Sequence, residues 1–208
     1  MPTLTEAQAW YPRYDPTHGF DHIRRVYELC ERLGEAEGAN LKILRAAALL
    51  HDAQSGPNVR EKHHTASAHF AGDVLRREGW PEEEIKAVQH CIRAHRFRDN
   101  NEKPRSLESK ILFDADKLDA IGAVGVIRAV SYAILHEQEL YASPSQQFLS
   151  TGEREPGEPH TPHHEFIYKL QHLKDQLYTS AGKALARQRH DFLVHFFQQF
   201  EAELKGNR

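Results

Sequence analysis

At 208 residues the chain has room for one domain with a sizeable core, since a domain typically takes about 100 to 200 residues. Hydrophobic residues make up 39% and charged residues 27% of it, a globular balance that excludes global disorder. The formal net charge of -3 excludes a broad attraction to polyanions, so neither a nucleic-acid polymer nor a membrane is an expected partner.

No apolar run approaches the roughly 20 residues of a bilayer span, and the opening Met1-Pro-Thr-Leu-Thr-Glu6 lacks the basic and apolar regions of a secretion signal. A cytoplasmic location is therefore expected. Cys30 and Cys91 fall in helical patterns and read as small core residues. The 15 histidines call for chemistry only where position gives them a task.

In chain order, Asp15-Pro16-Thr17 reads as a helix start with Thr17 as its cap, followed by Ile23, Val26, Tyr27, Cys30 and Leu33 at helical spacing. This puts His22 near the beginning of an amphipathic helix. The segment 41–52 is rich in helix formers and almost continuously apolar toward its end, as a buried central helix is, and the doublet His51-Asp52 emerges from it. Ser55-Gly-Pro-Asn58 breaks the pattern, and two helices follow over 65–78 and 82–96, separated by Gly79-Trp80-Pro81. Residues 106–135 continue the helical trend, with Asp116 at the apolar start and a run of small residues, Ala120 to Gly125, that permits close packing.

Over 142–162 the Ser, Pro, Gly and Glu density is high and periodicity vanishes, which predicts an exposed loop or insertion. Phe166, Leu170, Leu173, Leu177, Leu185, Phe192, Phe196 and Phe200 then return at helical spacing, giving two closing helices. The expectation is an all-α, single-domain helical bundle over 1–208, with a motif-bearing core at about 15–135 and closing helices at about 163–204.

Three apolar segments carry the candidate chemistry: His18-Gly-Phe-Asp-His22-Ile-Arg-Arg-Val26, Ala46-Ala-Ala-Leu-Leu-His51-Asp52, and Ile111-Leu-Phe-Asp-Ala-Asp116-Lys-Leu-Asp119. A buried Asp or His is costly unless paired, hydrogen-bonded or metal-bound. Two imidazoles and two carboxylates from these segments can hold one divalent cation. Neighbours on a regular helix point about 100° apart, so His51 and Asp52 meet one ion only where their helix end packs against other ligand-bearing helices. A mixed nitrogen and oxygen shell suits manganese, iron, cobalt, nickel or zinc better than calcium. Read from the residues, His18 competes with His22, and Asp114 and Asp119 compete with Asp116. The sequence has no Gly-x-x-x-x-Gly-Lys phosphate loop, no Gly-x-Gly-x-x-Gly fingerprint and no Gly-x-Ser-x-Gly elbow.

In order, content and spacing these segments resemble the HD-domain superfamily of metal-dependent phosphohydrolases, whose pattern is a His, then a His-Asp doublet, then a distant Asp. The resemblance implies His22, His51, Asp52 and Asp116 as ligands of one divalent metal: the following Arg25-Val26 favours His22, and an Ala-Asp-x-Leu segment favours Asp116. Asp119 is left to orient the shell or to form a salt bridge or cap. Ile92-Arg-Ala-His95 is similar to the family's Ile-x-x-His segment. Phe166-Ile-Tyr-Lys-Leu and Ala186-Arg-Gln-Arg189 look like the closing helices of small bacterial HD hydrolases related to nucleotide hydrolases.

The same resemblance implies hydrolysis of a small phosphorylated substrate, a nucleotide above all. Asp52 would accept a proton, Lys117 would join in catalysis, and Arg25, His64 and His95 would contact substrate, with His90, Arg96 and Arg98 as neighbouring candidates. Two alternatives stand beside it. One is an HD-type di-iron oxygenase that recruits His64, His90 and His95 for a second metal, and the other a catalytically silent nucleotide-binding regulatory domain. Nothing in the sequence indicates an oligomeric state.

Overall fold

Apolar residues three and four positions apart run through most of the chain, and every regular element among the described residues is a helix. The computed structural model describes residues 1–11, 15, 19–55, 62–96 and 102–207. Thr17, expected as a cap, lies outside the described residues, as do His18, Arg98 and the break at 56–58. The elements are α1 (Leu4–Gln8), α2 (Phe20–Glu37), α3 (Leu41–Leu50), α4 (His63–Arg77), α5 (Glu82–Ala94), α6 (Leu107–Leu118), α7 (Gly122–Leu135), α8 (Gln146–Thr151), α9 (Pro162–Tyr168), a 3-10 helix (Leu170–Asp175) and α10 (Ser180–Leu204). No single helix among the described residues is long and apolar enough to cross a membrane.

The chain divides into two compact units, Met1–Lys117 with Leu177–Gly182, and Leu118–Gln176 with Lys183–Arg208. In the first, α3 is the central helix: α2 and α5 pack against it, and α4 packs against α5. Ile43, Leu44 and every residue from Ala46 to Leu50 are buried, so the second half of the helix is apolar all round because it is covered all round, while Lys42 and Arg45 keep the first half partly exposed. Its start is fixed by Asn40, whose side chain accepts from the Lys42 and Ile43 amides. α5 opens with Glu82, Glu83 and Glu84 against the positive end of its dipole.

The helical trend expected over 106–135 resolves into two helices, and Asp116 stands near the end of α6, not at the apolar start of the segment. The small residues explain the break. Gly122 takes φ 76°, a left-handed conformation that a side chain disfavours, and a Cβ there would lie 3.1 Å from Arg189 side-chain carbons. Within the second unit, Arg189 also donates to the Leu118 carbonyl at 2.5 Å, and Phe166 stacks on Phe197 with ring centroids 4.4 Å apart.

Residues 142–162 form a largely exposed loop that contains α8, capped by the Ser145 hydroxyl. The loop is organised by Glu158. Its carboxylate accepts from the Ser145 amide and hydroxyl at 2.7 Å each, from the Glu155 amide at 2.7 Å and from His164 Nε2 at 3.0 Å. Such a sequence-distant convergence leaves no periodicity to read.

Asp114 ties the start of α10 to α6 inside the first unit. Its side chain is fully buried and accepts from the Tyr178 amide (2.8 Å), the Thr179 amide (2.8 Å) and the Thr179 hydroxyl (2.7 Å). Asp114→Ala should lower unfolding free energy by about 3 kcal/mol, because it strands two backbone donors. Asp114→Asn, which keeps one acceptor, should cost less. Urea unfolding of the two variants checks the order, and equal loss in both would contradict it.

Candidate metal centre

Four helix ends and one helix body converge in the first unit. His22 is the third residue of α2, His51 caps the C-terminus of α3 with Asp52 next, His63 opens α4, His95 caps the C-terminus of α5, and Asp116 lies on α6. The C-termini of α3 and α5 bring the negative ends of their dipoles to the cluster and the N-termini of α2 and α4 the positive ends, so the dipoles offset one another there and the side chains set the charge.

The distances describe a tight donor set. His51 Nε2 lies 3.4 Å from His22 Nε2 and 3.7 Å from Asp52 Oδ2. His22 Nε2 lies 3.4 Å from Asp116 Oδ1 and 4.0 Å from Asp52 Oδ2. On the other side of the same carboxylate, Asp52 Oδ1 faces His63 Nε2 at 3.4 Å and His95 Nε2 at 3.5 Å. The ligand atoms of His22, His51 and Asp52 form one group able to hold an ion, and those of Asp52, His63 and His95 form another.

The tautomers follow from the backbone. His51 Nδ1 lies 2.9 Å from the Ala48 carbonyl and His95 Nδ1 lies 2.5 Å from the Ile92 carbonyl. A carbonyl can only accept, so both Nδ1 atoms carry the proton and both Nε2 atoms turn a lone pair toward Asp52. Among the described residues, the buried Asp52 Oδ1 has no hydrogen-bond donor. Lone pairs facing lone pairs inside a protein need a positive centre between them, and this donor set fits a divalent metal.

Electrostatics agree. Burial pushes His51 down to about 4 against the Asp52 carboxylate, so at neutral pH the ring is ready to coordinate. Burial alone would raise Asp52, and only proton-bearing His51, His95 and His63 rings would outweigh it and hold the carboxyl well below its ordinary value; with the rings neutral that role falls to a cation between them. At Asp116 burial is likewise outweighed, by the Lys117 ammonium and then by His22. Asp116 and His63 are the open sides of the cluster, their side chains 18% and 19% exposed against 2% for His22 and 0% for His51.

The four expected ligands thus come together, and the other candidates separate. Asp114 serves the anchor described above, and Asp119 pairs with Arg128 at 2.6 Å in the second unit. Lys117 is buried, bonded to Asp116 Oδ2 at 2.5 Å and to the His95 carbonyl at 3.1 Å, so it touches a ligand directly. Arg25 is half-buried one turn after His22. His64 stands with its ring 5.6 Å from that of His63; its neighbour His63, which sequence reasoning passed over, is the one that reaches Asp52. The adjacent pair at a helix start was the available signal, but a 100° turn decides which ring points inward. His90 is occupied elsewhere, bonded to Glu102 at 2.6 Å and accepting from the Arg105 amide at 3.2 Å.

Tyr11, also missed, closes the floor. Its hydroxyl donates to the Leu49 carbonyl at 2.8 Å, just before the doublet. Burial, with the Asp52 charge nearby, pushes the phenol well above the ordinary tyrosine range, so it remains a donor.

The model of the HD domain matches residues 19–121. The chain is 34% identical to the uncharacterized protein YpgQ of Bacillus subtilis over 195 residues, 91% of this chain and 85% of that one. The crystal structure of Bacillus subtilis YpgQ in complex with ADP superposes with a TM-score of 0.75 at 29% identity, covering 99% of this chain and 100% of that one. An HD-superfamily hydrolase from Bacillus thuringiensis matches with a TM-score of 0.73 at 30% identity, covering 97% of this chain and 94% of that one.

The depressed His51 makes a pH prediction for metal-free protein. Its folded value of about 4 lies below the ordinary 6.5, so between those values the unfolded chain binds the extra proton. Stability is fully present above about pH 6.5 and falls as pH drops toward 4, by about 3 kcal/mol for a shift of this size. Urea melts of chelator-treated protein at pH 7.5 and 4.5 should show that loss, and His51→Gln should flatten it. A wild-type midpoint that does not move would contradict the neutral buried ring.

Proposed function

The chain belongs to the HD-domain superfamily, and from that premise we propose that it is a metal-dependent hydrolase of phosphate ester or phosphoanhydride bonds in a nucleotide or related small phosphorylated metabolite. The observation that carries the reading is the grouping of the His22, His51 and Asp52 ligand atoms, with Asp116 Oδ1 3.4 Å from His22 Nε2 beside them. The nucleotide class is supported by the YpgQ complex with ADP.

His22, His51, Asp52 and Asp116 would hold one divalent transition metal: manganese, iron, cobalt, nickel or zinc. When bound, such an ion supplies Lewis acidity toward a phosphoryl oxygen and an activated water. Asp52 is held as a carboxylate, and its Oδ1 accepts the proton released as water attacks. His63 and His95 flank that oxygen and pass the proton toward the leaving group. Lys117 neutralises Asp116 and fixes its outer oxygen, while Arg25 and His64 contact the substrate's phosphates from α2 and α4. The more open sides, at Asp116 and His63, admit the substrate.

Turnover of nucleoside mono-, di- and triphosphates with each candidate metal tests the reading. Absence of product with every metal, in folded and metal-loaded protein, would count against it. Nucleotide-induced thermal shifts without product would make it a silent binding domain. His51→Ala and Asp52→Ala should lose metal by elemental analysis and lower kcat/KM by at least about 10³. Lys117→Ala and His95→Ala should retain the metal and lower kcat by about 10- to 100-fold. An Asp52→Ala variant that binds metal and turns over like wild type would sink the assignment.

A second reading rests on the group Asp52, His63 and His95, which offers a place for a second ion beside the first. Two irons per chain, with oxygen consumed on substrate addition, would replace the hydrolase by an HD-type oxygenase. One metal per chain without oxygen uptake removes that reading.

A further inference from the structure

The metal-bearing doublet stands where α3 stops being an α-helix. In a continuing helix the Ala53 amide would bond the Leu49 carbonyl; instead it bonds the Leu50 carbonyl at 3.3 Å. The chain tightens through His51 and Asp52, and the Leu49 carbonyl is released from the ladder. A buried carbonyl in that state needs another donor. The donor is Tyr11, 38 residues earlier in the chain, whose hydroxyl meets it at 2.8 Å.

Tyr11 is itself fixed on several sides. Helix α1 packs against α3, and a reciprocal Thr3 and Glu6 capping box holds its first turn. Trp10 meets Phe70 of α4 edge-on with centroids 5.4 Å apart, and Tyr11 leans on Phe20 of α2 at 5.9 Å. Ala7, Tyr11, Ile23, Leu49 and Ala53 form one buried cluster. The segment 3–11 therefore touches α2, α3 and α4, the helices that deliver His22, the doublet and His63. It also lies wholly before residue 19, where the match to the HD domain begins.

We propose that this N-terminal segment is a positioning element for the metal centre, acting through the Tyr11 hydroxyl on the turn that aims His51 and Asp52. The inference rests on the metal reading of that centre. Tyr11 does not touch the ion or the substrate; it holds the backbone that does.

Cobalt(II) titration of the full chain, followed by its visible absorption bands, provides the test. Tyr11→Phe keeps the ring and the cluster and removes only the donor. It should bind cobalt about tenfold more weakly, as loss of a supporting hydrogen bond around a metal does, with altered band positions or intensities. Phe197→Leu, which loosens the core of the second unit, should lower thermal stability and leave cobalt affinity and spectrum as in wild type. Linkage is reciprocal, so cobalt must in turn steady the segment. In wild-type protein, amide exchange over residues 3–11 should slow when cobalt binds, a measurement that holds even if the variant folds poorly. Wild-type cobalt affinity and spectrum in Tyr11→Phe, or exchange over 3–11 that cobalt does not change, would overturn the positioning role. Failure of the wild-type protein to bind cobalt would overturn the metal reading itself.

Discussion

Lone pairs of the Asp52 carboxylate and of the His51 and His95 imidazoles meet in the first unit, and that repulsion is the constraint around which the rest is arranged. No donor among the described residues reaches Asp52 Oδ1, while Nε2 atoms crowd it at 3.4 and 3.5 Å. A fold that only needed stability would place leucines there. Holding such a cluster takes five helices whose own cores are secure, which is why the second half of α3, the part that leads into the doublet, is all Ala and Leu and buried.

The helices were legible in the sequence because apolar spacing is a local property, and so was the doublet, because it ends the most apolar segment. Its companions from distant segments were legible only by likeness to a family. What stayed hidden depended on rotation or on distance. His63 and His64 are equivalent in composition, and the direction of α4 alone separates them. Asp114, Asp116 and Asp119 share one short stretch, yet their partners are a backbone turn at 178–179, His22 with Lys117, and Arg128. Lys117 next to Asp116 suggests a substrate contact until the ammonium is seen to be engaged by Asp116 and the His95 carbonyl. Tyr11 carried no signal, since a phenol before a helix start looks ordinary without knowledge of which carbonyl it meets.

The exposure gradient across the cluster relates structure to chemistry. His51 and His22 are sealed, Asp52 is nearly so, and Asp116 and His63 open outward. The sealed side sets protonation: a ring depressed to about 4 stays neutral across the working range, and the carboxylates stay charged. The outer side, with Lys117 beside Asp116, keeps the access a reacting group requires. Preorganisation of this kind costs stability and yields a site that need not rearrange when charge develops.

The Asp114 anchor has a bearing on how the chain is made. Its acceptors engage amides 64 and 65 residues downstream, and the first unit takes in Leu177–Gly182. During synthesis from the N-terminus, the unit that carries the candidate metal centre is therefore unfinished until residue 182 has left the ribosome, with 118–176 as the intervening segment. Closing so long a loop slows folding more than it weakens the product. The nascent chain thus presents the candidate ligands with their α6 side still unanchored, and the last stretch of that unit to arrive is the one that locks it.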